Sequence, residues 1–461
     1  MKALHDPDRL LADGLAAIRA QFQVPDSFPP AVLAEAESAA QRTPADHADR
    51  TALPFVTLDP ASSTDLDQAF AIESAGADLL LHYAIADVAW FVSPGGAIDA
   101  EAWARVETLY LPGGKAGLHP PVLAEGAASL LPDGDRPAVV FTTRVAPDGA
   151  VRLEGAERAT IRSRAKLAYE TVQPDDLPAG FAELAARIAA AEDHRGAARV
   201  DPPEQEVEHN GGGRYTLRFR PLLESEKQNA ALSLATNMAV AQAMFEARTG
   251  LFRVMAPPDA RALGRLRQTA RAFGLAWPEQ ASLEQFERTL DPADRRQAAF
   301  MLAVRRAGNG ASYEPWREGV VPWHAAMAAT YAHATAPLRR LADRYVVQAA
   351  LAVANGQPVP DEFASAFARL PAVMAKADAR AGQIERAVID LAETAILEGR
   401  EGEIFDAVVT DLGEQGARIQ LCDLPVVART QAHKVAPGDA ITVRLQDADP
   451  ARRTLRFERV S

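Results

Sequence analysis

Three aspartates in the segment Thr57–Phe70, TLDPASSTDLDQAF, are spaced so that they could share one task. Asp65 and Asp67 stand two apart and leave the same face of an extended chain, while Asp59 ends the preceding strand-like run. Converging carboxylates repel one another unless a cation lies between them. Hard oxygen donors without cysteine or clustered histidine suit Mg²⁺ or Mn²⁺. The same letters also fit a solvated, Asx-rich surface turn. A second segment, ATYAHATAPLRRLADRYVVQ, reads as a helix opened by Pro337 with Arg339 and Arg340 in its first turn. Cations are disfavoured at that positive end, so the pair implies an anion such as phosphate, held by guanidinium forks and free N–H groups. The alternative is ordinary pairing of these arginines with Asp343 at i,i+3 or i,i+4 spacing.

The elements that must position these groups follow from periodicity. Residues 1–50 read as a small helical module, with Leu10, Leu11, Leu15, Ile18 and Phe22 at helical spacing and a second helix after SFPP. From about 51 the runs PFVTL, QAFAIE, ADLLLHYAIADVAWFV and AVVFTTRVAPDGAVRLEGAERATI alternate as strands do, broken by Gly, Pro and Asp turns. From about 221 to 400 the texture is helical. Strands first and helices later suit an α+β domain whose helices pack on one side of a sheet. The last sixty residues return to five short strands, the pattern of a small OB-type barrel. The expected division is 1–50, 51–400 and 401–461, with Gly211–Gly213 a hairpin turn.

Composition narrows the function. With 461 residues, 48% apolar and 24% charged, the chain is an ordinary globular one. Its one cysteine, Cys422, excludes an intramolecular disulfide and any Cys-based metal cage. A net charge of −13 argues against coating nucleic acid by bulk electrostatics, though not against a local basic channel. The start, MKALHDPDRL, lacks an apolar signal region and no membrane-spanning run occurs, so the expected location is the cytoplasm. No coiled-coil pattern is visible, and a monomer is expected.

The chemistry-bearing segments resemble the ribonuclease II/ribonuclease R (RNB-domain) exoribonucleases. TLDPASSTDLDQA, LHYAIADVAWFVSPGGAIDAEAW with TLYLPG, IRSRAKLAYETV, TNMAVAQAMF with LFRVMAPPD, and YAHATAPLRRLADRYV occur in the family's order over roughly 57–400. The resemblance implies a hydrolase that shortens single-stranded RNA from its 3′ end and releases 5′-nucleotides, with Mg²⁺ at an aspartate cluster. DNA is not expected as substrate, nor a membrane as partner. On matching positions, Asp59, Asp65 and Asp67 become metal ligands, with Asp67 and Arg339 essential to catalysis. Gln68 stands where many members place a fourth aspartate; a neutral amide there leaves open one ion or two. Arg339 and Arg340 would hold phosphate, Tyr110 would stack on the terminal base with Phe286 as its opposing face, and Glu385 would contact ribose. The final barrel resembles an S1 domain, with Arg418, Arg429, Lys434, Arg444, Arg452 and Arg453 as its cations. The helical arm stands where larger members carry cold-shock domains, which implies a more open RNA entrance. Two other functions compete with the nuclease. One is an RNA-binding regulator with a decayed site, and the other a phosphohydrolase of small nucleotides.

Overall fold

The computed structural model describes residues 2–5, 10–132, 134–198, 204–209, 214–220, 222–291, 294–308, 310–413, 416–432 and 434–460. Alternation of apolar side chains builds its central sheet. In the strand Asp78–Ala86, Leu79, Leu81, Tyr83 and Ile85 enter one core and Ala84 and Ala86 another. Six strands pair in the order Ala48–Asp49, Val151–Ala168, Phe55–Asp59, Gln68–Ala75, Asp78–Ala86 and Asp135–Val145. The 18-residue Val151–Ala168 pairs antiparallel with Asp135–Val145 along its first part and parallel with Phe55–Asp59 along its last. The sheet thereby closes on itself.

Both faces of this sheet are buried. The helices Phe181–Arg195, Glu224–Glu246 and Leu341–Ala354 contribute to the core on one side. Pro30–Ala40 and Val88–Phe91 pack on the other, where Ala69, Ala71, Ala84, Ala86 and Ala138 leave room for close approach. Helices on a single side is therefore a correction: the first hundred residues supply the second cover. The run ADLLLHYAIADVAWFV likewise does not stay extended. It ends as strand at Ala86, because the buried Asp87 carboxylate turns in to Arg158 at 2.8 Å and His47 at 3.2 Å.

The amino-terminal module is not purely helical either. Lys2–His5 is a strand that covers the free edge of Arg214–Arg220, itself paired with Glu204–His209. The Gly211–Gly213 run lies outside the described residues. The helix Leu370–Leu397 joins the two halves of the molecule. Its 28 residues would span about 42 Å. Leu370 and Met374 sit in the central core, while Ile384, Val388 and Leu391 pack with helix Leu10–Gln21 and the final barrel. That barrel is closed, in the order Ile404–Gly413, Gly416–Leu421, Val427–Gln431, Thr454–Arg459, Ala440–Asp449. Among the described residues no helix is long and apolar enough to cross a membrane.

Candidate active site

Asp59 closes its strand, and residues 60–67 loop back to the strand that starts at Gln68. Leu66 is wholly buried and anchors that loop. Its N–H donates to Ser129 Oγ at 2.9 Å, Ser129 Oγ donates to the Thr64 carbonyl at 2.7 Å, and Leu130 N–H donates to the Leu66 carbonyl at 3.0 Å. With Leu66 driven inward, alternation sends Asp65 and Asp67 to the opposite side.

The arginine segment arrives from 270 residues further on, and its local structure corrects the sequence expectation. Pro337 does not open a helix: Pro337–Arg339 form a turn, Arg340 is extended, and the helix begins at Leu341. The buried Asp343 carboxylate is the cause. It accepts the N–H groups of Thr335 at 3.0 Å and Ala336 at 2.8 Å, which shapes a turn ahead of the first helical residue. Arg340 is corrected with it. Its guanidinium forks onto Asp343 at 3.0 and 2.9 Å, so it holds the turn rather than facing a phosphate.

What the turn presents is Leu338 N–H and Arg339. The N–H donates to Asp67 Oδ1 at 2.7 Å, and Arg339 Nε lies 3.7 Å from Asp67 Oδ2. Arg339 keeps 45% of its side chain exposed beside an acid that is 7% exposed. Burial pushes the Asp67 carboxyl up to about 8, against the lowering influence of Arg339 and the Leu338 N–H. Burial likewise pushes Asp59 up to about 6, with Arg339 and Lys166 lowering it and Asp65 raising it. Asp59 and Asp65 are thus near enough to sense one another, and Arg339 acts on both Asp59 and Asp67 without offsetting their burial.

Tyr110 stands on a hairpin, Leu109–Leu111 with Gly114–Ala116, whose Pro112–Gly113 turn is explained by proline at the second position and positive φ at Gly113. Tyr110 is 58% exposed, and its hydroxyl lies 3.4 Å from Asp65 Oδ2. An exposed aromatic beside the acids is free to stack on a base. The backbone ties this hairpin to the arginine turn, with Thr108 N–H donating to the Arg339 carbonyl at 3.0 Å and Leu341 N–H to the Val106 carbonyl at 2.9 Å. Tyr110 opens on a cavity of about 940 Å³ whose walls include Glu107, Glu208, Arg220 and Glu385. Glu385 is exposed there, on helix Leu370–Leu397.

One expected site residue lies elsewhere, and another is engaged by a neighbour. Phe286 is 4% exposed, stacked on Trp277 at 5.1 Å and edge-on to Phe300 in a separate helical core, and cannot face Tyr110 across a base. Gln68 is adjacent to Asp67, but its Oε1 accepts from the hydroxyl of the fully buried Tyr83. Lys115 was missed by the sequence reading. Its ammonium sits 2.7 Å from Asp65 Oδ1 and 3.1 Å from Glu125. Reading LYLPGGKA as a two-residue hairpin would have set Lys115 opposite Tyr110.

Among the described residues no three His, Cys, Asp or Glu side chains form a ready-made metal cage. Magnesium seldom needs one, since it is commonly held by one or two carboxylates with waters and substrate phosphate completing the shell. The donor set fits that use: Asp59 has neither an ion pair nor a side-chain hydrogen bond among the described residues, and Asp67 Oδ2 is left to face Arg339 alone.

This architecture has known counterparts. The RNB domain matches residues 47–354 and the RNase II-type exonuclease C-terminal S1 domain matches 403–460, so the chain belongs to the RNB family. Ribonuclease R of Escherichia coli K12 is 26% identical over 446 residues, covering 87% of this chain and 54% of that protein. Exoribonuclease 2 of Enterobacter sp. 638 is 41% identical over 128 residues, 27% of this chain and 20% of the relative. The chain spans about half the length of the curated ribonuclease R relatives it matches. Among solved structures, Mycoplasma genitalium RNase R in complex with ribose methylated single-stranded RNA superposes with a TM-score of 0.87 at 20% identity, covering all of this chain and 79% of that one. Yeast Ssd1, a pseudonuclease, gives a TM-score of 0.68 at 16% identity over 95% of this chain and 57% of its own.

Proposed function

We propose that this chain is a cytoplasmic, monomeric 3′→5′ exoribonuclease that hydrolyses single-stranded RNA to 5′-nucleoside monophosphates with Mg²⁺. The observation that carries this is the meeting of Asp67 with Leu338 N–H and Arg339, two segments 270 residues apart, beside an exposed tyrosine. Relatives named ribonuclease R support the activity.

In the reaction a water oxygen bonds to the phosphorus of the last phosphodiester and the bond to the penultimate 3′ oxygen breaks. The shortened chain keeps a 3′-hydroxyl and the released nucleotide keeps the phosphate. Tyr110 stacks on the terminal base and so sets which phosphate reaches the acids. The Arg339 guanidinium binds that phosphate and offsets charge as it builds on the oxygens. Leu338 N–H fixes the rotation of the Asp67 carboxylate, and the Asp343–Arg340 fork holds the turn that supplies both. Glu385, which lines the cavity beside Tyr110, contacts a ribose hydroxyl on this reading. A divalent ion held by Asp59 and Asp67 would supply Lewis-acid polarisation of the phosphate and an activated water.

The test is a 5′-labelled single-stranded RNA incubated with Mg²⁺, beside its DNA analogue and the Asp67→Asn protein. The expected result is a descending ladder from RNA alone, with the variant slowed by about 100-fold or more while still binding RNA. An absence of products with any divalent ion overturns the reading in favour of an RNA-binding regulator, the state for which the pseudonuclease likeness is a precedent in fold.

A further inference from the structure

The protein meets each acid of the cluster differently. Asp67 takes a backbone N–H and faces Arg339. Asp59 has no ion pair or side-chain hydrogen bond among the described residues, and the Gln68 amide oxygen is engaged by Tyr83. Asp65, 10% exposed, is instead closed by a lysine. The Lys115 ammonium lies 2.7 Å from one of its oxygens, and the Tyr110 hydroxyl 3.4 Å from the other. Tyr110 and Lys115 are direct cross-strand partners, so one face of the hairpin grips both oxygens. Lys115 is not a loose surface side chain. It is 24% exposed and pinned between Asp65 and Glu125, the latter at 3.1 Å.

We propose that Lys115 is a tethered cation standing where a second divalent ion would bind at Asp65, so that this site takes one divalent ion, at Asp59 and Asp67. The inference rests on the exoribonuclease reading. Charge decides between one ion and two. Three carboxylates, Glu125 on the other side of Lys115 and the scissile phosphodiester carry five negative charges. One divalent ion with Lys115, Arg339 and Lys166, whose charge acts on Asp59, supplies five positive ones. A second divalent ion would add an uncompensated pair of charges within contact of an ammonium in a largely buried site, where repulsion is poorly screened. Lysine suits the role because its ammonium is a compact point charge, without the planar fork an arginine would spread across both oxygens. The residue also couples two tasks, since the strand register that places Lys115 on Asp65 is the one that places Tyr110 for a base.

Counting Mn²⁺ bound to the full-length chain, from the electron paramagnetic resonance signal of the free ion, tests this. The wild type is expected to bind one ion per chain, Lys115→Arg one, and Lys115→Met a second, weaker ion at the freed Asp65. Two ions on the wild type overturn the proposal and leave the nuclease reading standing. A single ion on both wild type and Lys115→Met removes Lys115 from the role. No ion on any of the proteins overturns the proposal together with the metal-assisted chemistry, and the RNA ladder reports that failure separately. If Lys115→Met does not fold, as judged by its thermal melt, the wild-type count and Lys115→Gln carry the decision.

Discussion

Glu393 offers a quantitative check on how helix Leu370–Leu397 and the barrel are joined. It is 2% exposed on helix Leu370–Leu397, and its Oε1 accepts the Val427 N–H of the barrel at 2.8 Å and Gln205 Nε2 at 2.7 Å. Burial pushes its carboxyl from 4.5 up to about 7, against the lowering effect of those two donors. The folded protein therefore keeps this proton to about pH 7, whereas the unfolded chain releases it near 4.5. Between those values the folded state binds more protons than the unfolded one, so stability falls as pH rises and is flat on either side. The gap corresponds to about 3 kcal/mol at its upper limit. Glu393→Gln keeps an oxygen for both donors and cannot ionise. Denaturant unfolding of the full-length chain from pH 4 to 8, with amide exchange at Val427 as the local probe, is expected to show wild type and variant alike near pH 4.5. By pH 8 the variant should be more stable by up to about 3 kcal/mol. Parallel pH slopes for the two proteins would refute the buried, proton-holding carboxyl.

Two further outcomes separate site from scaffold. Tyr110→Ala should weaken binding of a short single-stranded RNA by about 1–3 kcal/mol, the range for one lost base stack, and leave the unfolding midpoint nearly unchanged because the ring is exposed; fluorescence anisotropy and a denaturant curve check the two halves. Phe286→Ala should do the reverse. Emptying a site stacked against Trp277 and Phe300 should cost about 3–5 kcal/mol of stability, with RNA affinity of the folded protein unchanged.

The central strands, the five-stranded barrel and the long helices were legible because alternation and helical periodicity report which side chains are buried. The three acids and Arg339 were legible as types with a motif around them. What the letters did not carry was the competition for N–H groups ahead of a helix. ATAPLRR reads as a proline-opened helix by local preference, but Asp343, inside the helix, captures two N–H groups upstream and Asp67, from the distant sheet, takes a third. Arg340 was misread for the same reason, since its spacing to Asp343 fits both a solvated pair and the buried fork that is found. Phe286 shows the opposite limit. An aromatic carries no mark of which core it belongs to, and Trp277 and Phe300 claimed it. The strand Lys2–His5 has no periodic signal of its own and exists because Arg214–Arg220 offers an edge.

The site is a clamp of three segments, and its stiffness follows from how they are tied. The acid loop is anchored beneath by Leu66 and Ser129, the arginine turn by Asp343, and the hairpin by backbone bonds from Thr108 and Leu341 to that same turn. The hairpin then returns to the acid loop through Lys115 and Asp65. Each segment touches the other two, so a shift of the Tyr110 ring moves with it the charge on Asp65 and the turn that bears Arg339. On the proposed reading, base placement and phosphate chemistry are therefore mechanically linked, and a substitution in the Pro112–Gly113 turn should register in the rate as well as in RNA affinity.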